Sequence, residues 1–166
     1  MSMTKFTRIS AVAAAAVCAL ALPDSAHAAI ITSHLQNVQT DHCMAIPDSS
    51  TANGADVIQW TCNHNKDQQW ILQGVGGDNG DRVRVRNVHS DKCLAMPDAD
   101  TANGTRAIQR TCNGGSEQTW IYDSIGRLRN VHSDRCLAVP NGSMTSGTGI
   151  VQWTCTTNSD QRWAQS

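Results

Sequence analysis

Aromatic side chains are scarce in this sequence. Its 166 residues hold one Phe, one Tyr and five Trp, 4 % in all. A core with so few rings is mainly aliphatic, so the place of each Trp carries information. Charge is scarce too: 13 basic and 14 acidic residues leave a net −1. That balance offers no electrostatic footprint for nucleic acid or for insertion at an anionic membrane. No segment shows helical periodicity over a dozen residues. There is no G-x-S-x-G and no H-E-x-x-H. The acidic residues mostly follow an internal repeat, and catalytic pairs are seldom triplicated. The expectation is a protein that is not an enzyme and needs no cofactor.

Asn, Gln, Ser, Thr and Gly dominate instead, a composition suited to strands, turns and hydrogen-bonding sites. Only the start of the chain departs from it. Lys5 and Arg8 precede an apolar stretch from Ile9 to Leu22, and Ala26-His27-Ala28 supplies an A-x-A cleavage signal. The stretch is well short of the ~20 residues a membrane-spanning helix needs. Residues 1–28 therefore read as a secretory signal peptide cleaved near Ala28. Residues 29–166 make one domain, expected to be secreted, extracellular and monomeric. Cys18 leaves with the leader. Six cysteines remain, an even number in an exported chain, which points to disulfides.

Three copies of one unit follow, at about 35–73, 85–123 and 128–166. They read LQNVQTDHCMAIPDSSTANGADVIQWTCNHNKDQQWIL, VRNVHSDKCLAMPDADTANGTRAIQRTCNGGSEQTWIY and LRNVHSDRCLAVPNGSMTSGTGIVQWTCTTNSDQRW. Each copy holds two cysteines 19 positions apart. The simplest pairing is within each copy: Cys43–Cys62, Cys93–Cys112 and Cys136–Cys155. The rival is a metal site, but this spacing has none of the paired C-x-x-C character of zinc ligands. Runs such as LQNV, CMAI, VIQW and WIL alternate with turn signals such as PDSSTANG. Four short strands per copy give an all-β domain of about twelve strands. The stretch from Gly74 to Gly80 reads as a turn-forming linker. Asp41, Asp91 and Asp134 are expected to bond local backbone N–H groups in tight turns.

Each copy closes on Q-x-W: Gln68-Gln69-Trp70, Gln118-Thr119-Trp120 and Gln161-Arg162-Trp163. With the C-L-x-V-like segment, the T-A-N-G turn and the x-Q-W-x-C strand, the whole of residues 29–166 resembles the ricin B-type lectins, the family-13 carbohydrate-binding modules. The resemblance implies a β-trefoil of three pseudo-symmetric four-strand repeats, with one potential sugar site in each.

The five Trp fall at two positions of the repeat. Trp70, Trp120 and Trp163 occupy the last strand of every copy, which is most simply core. Trp60 and Trp153 stand two before the second cysteine, where the second copy has Arg110. A buried unpaired charge is costly, so this position is expected to face solvent. Exposed indoles in a secreted module suit the C–H faces of sugar rings, and in the family this position carries the stacking aromatic. No ordinary stacking is expected at Arg110.

Two departures from the family pattern accompany each other. Members that bind galactose or xylose units usually carry Asp as the third residue of C-L-D-V; here it is Ala45, Ala95 and Ala138. The residue before Q-x-W, commonly Asn, is Asp67, Glu117 and Asp160. One expectation is compensation, with Asp67 and Asp160 restoring the lost acceptor beside Gln68 and Gln161. The bland alternative is turn bonds or surface ion pairs. Asp48, Asp98, Asn141, Glu117, Gln118 and Arg110 are weaker candidates. His89 and His132 recur where the first copy has Gln39, so a proton shuttle or metal ligand is not expected there. The leading expectation is a carbohydrate-binding module with sites in repeats 1 and 3, taking galactose- or xylose-type glycans as partners. Its alternative is a degenerate trefoil serving as a protein-interaction or inhibitory module.

Overall fold

A computed structural model describes residues 32–76 and 81–166; the expected leader lies outside the described residues. Each repeat contributes four strands. Repeat 1 has β1 (Thr32–Asn37), β2 (Cys43–Ala45), β3 (Ile58–Trp60) and β4 (Gln69–Gly76). Repeat 2 has β5 (Arg82–Asn87), β6 (Cys93–Ala95), β7 (Ile108–Arg110) and β8 (Trp120–Tyr122). Repeat 3 has β9 (Leu128–Asn130), β10 (Cys136–Ala138), β11 (Val151–Trp153) and β12 (Trp163–Gln165).

The first and last strands of the repeats form a barrel in the order β12–β1–β4–β5–β8–β9, all antiparallel. Its last seam is closed by two bonds: Trp163 N–H donates to Gly126 O at 2.7 Å, and Tyr122 O–H donates to Trp163 O at 2.6 Å. The hairpins β2–β3, β6–β7 and β10–β11 cap one end. They meet through the bridges Asp56–Ile108, Ile58–Gly149 and Arg106–Val151. A barrel of six strands capped by three hairpins is a β-trefoil. The disulfides pair Cys43 with Cys62, Cys93 with Cys112 and Cys136 with Cys155, one per repeat, and their Cα atoms lie 5.0, 5.1 and 4.9 Å apart.

The core is built from the same position of each repeat, taken three at a time. Leu35, Val85 and Leu128 form one set; Met44, Leu94 and Leu137 another; Ile46, Met96 and Val139 a third. Trp70, Trp120 and Trp163 are fully buried among them. A buried indole must still satisfy its N–H. Each donates to the carbonyl of the β2-type residue of its own repeat, Met44, Leu94 or Leu137, at 2.9, 3.0 and 3.3 Å.

Three findings differ from the sequence expectations or add to them. The turns after β1, β5 and β9 are capped by Asn37, Asn87 and Asn130, whose Oδ1 atoms accept from the N–H groups two and three residues on. Asp41, Asp91 and Asp134 supply the left-handed corner, at φ 55°, 61° and 58°. The carboxylates of Asp91 and Asp134 pair with Arg86 and Arg129 rather than with local N–H groups. The linker from Gly74 is partly strand, since β4 continues to Gly76 opposite Arg82. Finally, the buried Gln59, Gln109 and Gln152 staple the repeats together. Gln109 Nε2 donates to Ser50 O and Ala52 O of repeat 1, and Gln152 Nε2 to Asp100 O and Ala102 O of repeat 2. Gln59 closes the ring on Ser143 O and Thr145 O of repeat 3.

Candidate functional site

Strand pairing decides which face of each hairpin is available. In repeat 1, Cys43 pairs with Trp60, Met44 with Gln59 and Ala45 with Ile58. Alternation turns Met44 and Gln59 to the core and leaves Ala45, Ile58 and Trp60 on the outer face. The chain after Cys62 folds back over that face through a 3-10 turn at Lys66–Gln68. Ile46 N–H bonds Asp67 O at 3.2 Å and so sets Asp67 beside Ala45. The result is a cleft of ≈ 250 Å³ lined by Ala45, Ile58, Trp60, Asn63, Asn65 and Asp67. Repeat 3 builds its counterpart, ≈ 470 Å³, from Ala138, Val151, Trp153, Thr156, Asn158 and Asp160.

Trp60 and Trp153 are 45 % and 47 % exposed, while the three Q-x-W tryptophans show no exposed surface. A carboxylate faces each exposed indole's cleft. Asp67 is only 9 % exposed, and its Oδ1 makes no hydrogen bond among the described residues. A buried acceptor without a partner is costly in a fold and calls for a reason. Its backbone is fixed, because Asn87 of the next repeat donates from Nδ2 to Asp67 O at 2.9 Å. Asn37 holds Asp160 O in the same way at 2.9 Å. Burial pushes the Asp160 carboxyl above the ordinary carboxylate range.

The rim of each cleft is a left-handed corner. Asp48 and Ser49 take φ 53° and 49°, and Asn141 and Gly142 take 53° and 58°. Asp98 and Ala99 take φ 49° and 54° at the same place in repeat 2, so this corner belongs to the frame of all three repeats. Asp48 and Asn141 both line their clefts.

Gln68 and Gln161 reach the clefts with their amides already engaged. Gln68 Oε1 accepts from Asn63 N–H at 2.8 Å, and its Nε2 donates to Thr61 O at 3.0 Å. Gln118 and Gln161 repeat both bonds. These buried glutamines hold the loop that carries the Asn and Asp side chains of the cleft.

Repeat 2 is different. Arg110 replaces the indole and reaches Asp98 at 3.6 Å, across the position where Trp60 and Asp48 flank their cleft. Glu117 Oε1 accepts from Asn113 Nδ2 at 2.8 Å. Its carboxylate lies over Gly115, where an added Cβ would fall 2.1 Å from Oε2. Asn65 and Asn158 stand at that position in the other repeats and deny the carboxylate this retreat. Sequence reasoning missed Asn63, Asn65, Asn158 and Gln39 as cleft residues. Their signal was weak, because Asn and Gln are common throughout the chain.

A family model for the ricin-type β-trefoil lectin domain matches residues 31–163. The chain belongs to this family. Among solved structures, this ricin-type domain is similar to the designed threefold-symmetric protein ThreeFoil, with TM-score 0.77 and 28 % identity, covering 81 % of this chain and 96 % of that one. It is also similar to an exo-β-1,3-galactanase from Clostridium thermocellum, with TM-score 0.76 and 30 % identity. That match covers 87 % of this chain but 31 % of the enzyme. The C-terminal half of an earthworm R-type lectin, solved in complex with GalNAc, shares the fold at TM-score 0.67 and 13 % identity, over 81 % of this chain and 96 % of that one. No curated protein matched the sequence. Membership of this family supports carbohydrate binding in general, and it suggests a binding module rather than a catalytic one.

Proposed function

We propose that this ricin-type domain binds glycans at two clefts, those of repeats 1 and 3. The observation that carries the reading is the pairing, in each, of a half-exposed Trp with a carboxylate beside an Ala. In repeat 1 the carboxylate Oδ1 is buried and unpartnered among the described residues. A sugar meets both needs at once. Its C–H face stacks on Trp60 or Trp153, and its hydroxyls donate to Asp67 or Asp160. Ala45 and Ala138 cannot supply an acceptor; Asp67 and Asp160 supply it from the turn that folds back beside them. Because the acceptor enters from a new direction, the hydroxyl pair it reads differs from that read by relatives with Asp in the C-L-D-V segment. Gln68 and Gln161 act through the loop they hold.

Galactose-type units are the first to test, since the galactanase neighbour acts on a galactan by name. Three disulfides suit an oxidising, extracellular setting. The test is titration of the protein with galactose- and xylose-based oligosaccharides, alongside a glycan array. Asp67→Asn combined with Asp160→Asn is expected to weaken binding at least tenfold, the scale of losing a charge-assisted hydrogen bond of about 1.5–3 kcal/mol. Unchanged affinity in that variant would sink the compensation.

A further inference from the structure

The two clefts are not copies of each other, and the difference comes from a neighbouring repeat. Gln39 stands on the turn after β1, yet it lines the cleft of repeat 3. Its Nε2 donates to Gly142 O at 3.3 Å, and its Oε1 accepts from Ser159 Oγ at 3.1 Å. It therefore ties the Pro140–Gly142 rim to the Ser159–Gln161 turn. Two residues make this possible. An added Cβ at Gly142 would fall 2.1 Å from Gln39 Nε2, so a side chain there would displace the amide from the tie. Ser159 supplies the hydroxyl donor.

Repeat 1 lacks all three parts. The frame is the same, since Asn87 grips Asp67 O as Asn37 grips Asp160 O. But the threefold relation puts His89 in place of Gln39, Ser49 in place of Gly142 and Lys66 in place of Ser159. Repeat 2 is intermediate: His132 Nδ1 meets Ser116 Oγ at 3.3 Å, and Ala99 takes the glycine position.

A primary amide carries two N–H donors and two carbonyl lone pairs. The tie uses one of each, and Gln39 is exposed. One donor and one acceptor remain for a ligand, beyond the Trp and Asp that serve the first ring. The repeat 3 cleft is also the roomier, at ≈ 470 against ≈ 250 Å³. We propose that Gln39 is a specificity-determining residue of the repeat 3 cleft. It bonds the hydroxyls of a second saccharide unit, so this cleft prefers an oligosaccharide to a monosaccharide, and the repeat 1 cleft does so less. The inference rests on the carbohydrate reading above.

The test isolates each cleft. Trp60→Ala leaves repeat 3 as the binding cleft, and Trp153→Ala leaves repeat 1. Each parent is titrated with galactose, β-1,3-linked galactotriose, xylose and xylotriose. In the Trp60→Ala parent the trisaccharide is expected to bind about fivefold more tightly than its monosaccharide, the worth of one net hydrogen bond. Adding Gln39→Ala is expected to remove that preference, lowering trisaccharide affinity by about fivefold more than monosaccharide affinity. Gly142→Ser is a second route to the same result, because its Cβ displaces the amide at a backbone angle Ser49 already adopts. A trisaccharide preference that survives both substitutions overturns the role of Gln39. The same holds if the preference is equal in the two parents. If neither parent binds any of the four sugars, the carbohydrate reading at these clefts fails and takes this inference with it.

Discussion

Trp60 and Trp70 lie ten positions apart in one repeat, yet the fold gives them opposite tasks. Trp70 fills the core and bonds Met44 O; Trp60 stands half in solvent over a cleft. Trp70→Ala is expected to cost about 3–5 kcal/mol of stability, as large-to-small changes at buried aromatics do. Trp60→Ala is expected to change stability by less than about 1 kcal/mol while removing binding in repeat 1. Chemical denaturation of both variants checks the contrast. This division was legible before the fold, because Arg110 occupies the Trp60 position in the second repeat and nothing but Trp occupies the other. Gln39 was not legible. It sits 120 positions before Ser159, and only the closed trefoil brings them together. Asp160 carries a sign-definite test at the same scale. Burial raises its carboxyl pKa, so the folded state disfavours the charge. That cost is present above the raised pKa and is relieved as pH falls through it toward the ordinary carboxylate value. Asp160→Asn is thus expected to raise Tm at pH 7, with a gain that shrinks toward pH 4, while binding in repeat 3 is lost. Thermal unfolding at the two pH values reads the first part, and titration with the oligosaccharides reads the second.

At the scale of elements, turns and staples do most to hold the clefts in shape. The β8–β9 turn closes the barrel, and Asp123 organises it. Burial alone would push the Asp123 carboxyl up. Bonds from Arg127 N–H, from Arg127 Nε at 2.7 Å and from Ile125 N–H outweigh burial and hold it below the usual range. Its contribution is therefore complete above the unfolded carboxylate value and is lost as pH falls through the lowered one. Asp123→Ala is expected to lower Tm at pH 7 and to lower it less in strong acid, as calorimetry across that range will show. The glutamine staples offer a second test. Gln109→Ala leaves Ser50 O, Ala52 O and the Ser90 hydroxyl without their amide partner. A loss of about 2–3 kcal/mol is expected, the scale of stranding buried polar groups. The strands were readable from alternation and turn residues. The division of labour in the turns was not, because Asn and Asp are both turn formers and composition alone does not say which side chain accepts the N–H bonds. Likewise Gln59, Gln109 and Gln152 recur in the sequence, but their partners lie in another repeat.

The whole molecule is a threefold frame used unevenly. Identical cysteine spacing and three Q-x-W segments made the frame visible in the sequence, because a repeat that cannot close its own core must be completed by its neighbours. The uneven use follows from a handful of substitutions: Arg110 and Gly115 in repeat 2, and Gly142 in repeat 3. Each disulfide closes a loop of about 20 residues and is expected to contribute about 3 kcal/mol on the chain-entropy model. Reduction should therefore lower the denaturation midpoint well before it abolishes any single cleft. Two clefts on one rigid body also predict avidity. On a polysaccharide carrying many equivalent units, losing one cleft is expected to weaken binding by a larger factor than on a short oligosaccharide, where each site acts alone. Co-sedimentation with insoluble polymer, compared with titration by a trisaccharide, separates the two.

The most direct measurement is the binding stoichiometry of an oligosaccharide that the wild-type chain recognises, taken across Trp60→Ala, Trp153→Ala and the double variant. Two sites are expected in the wild type, one in each single variant and none in the double variant, with all four proteins equally folded by circular dichroism. A double variant that still binds as the wild type does, or a stoichiometry of three, would contradict that expectation.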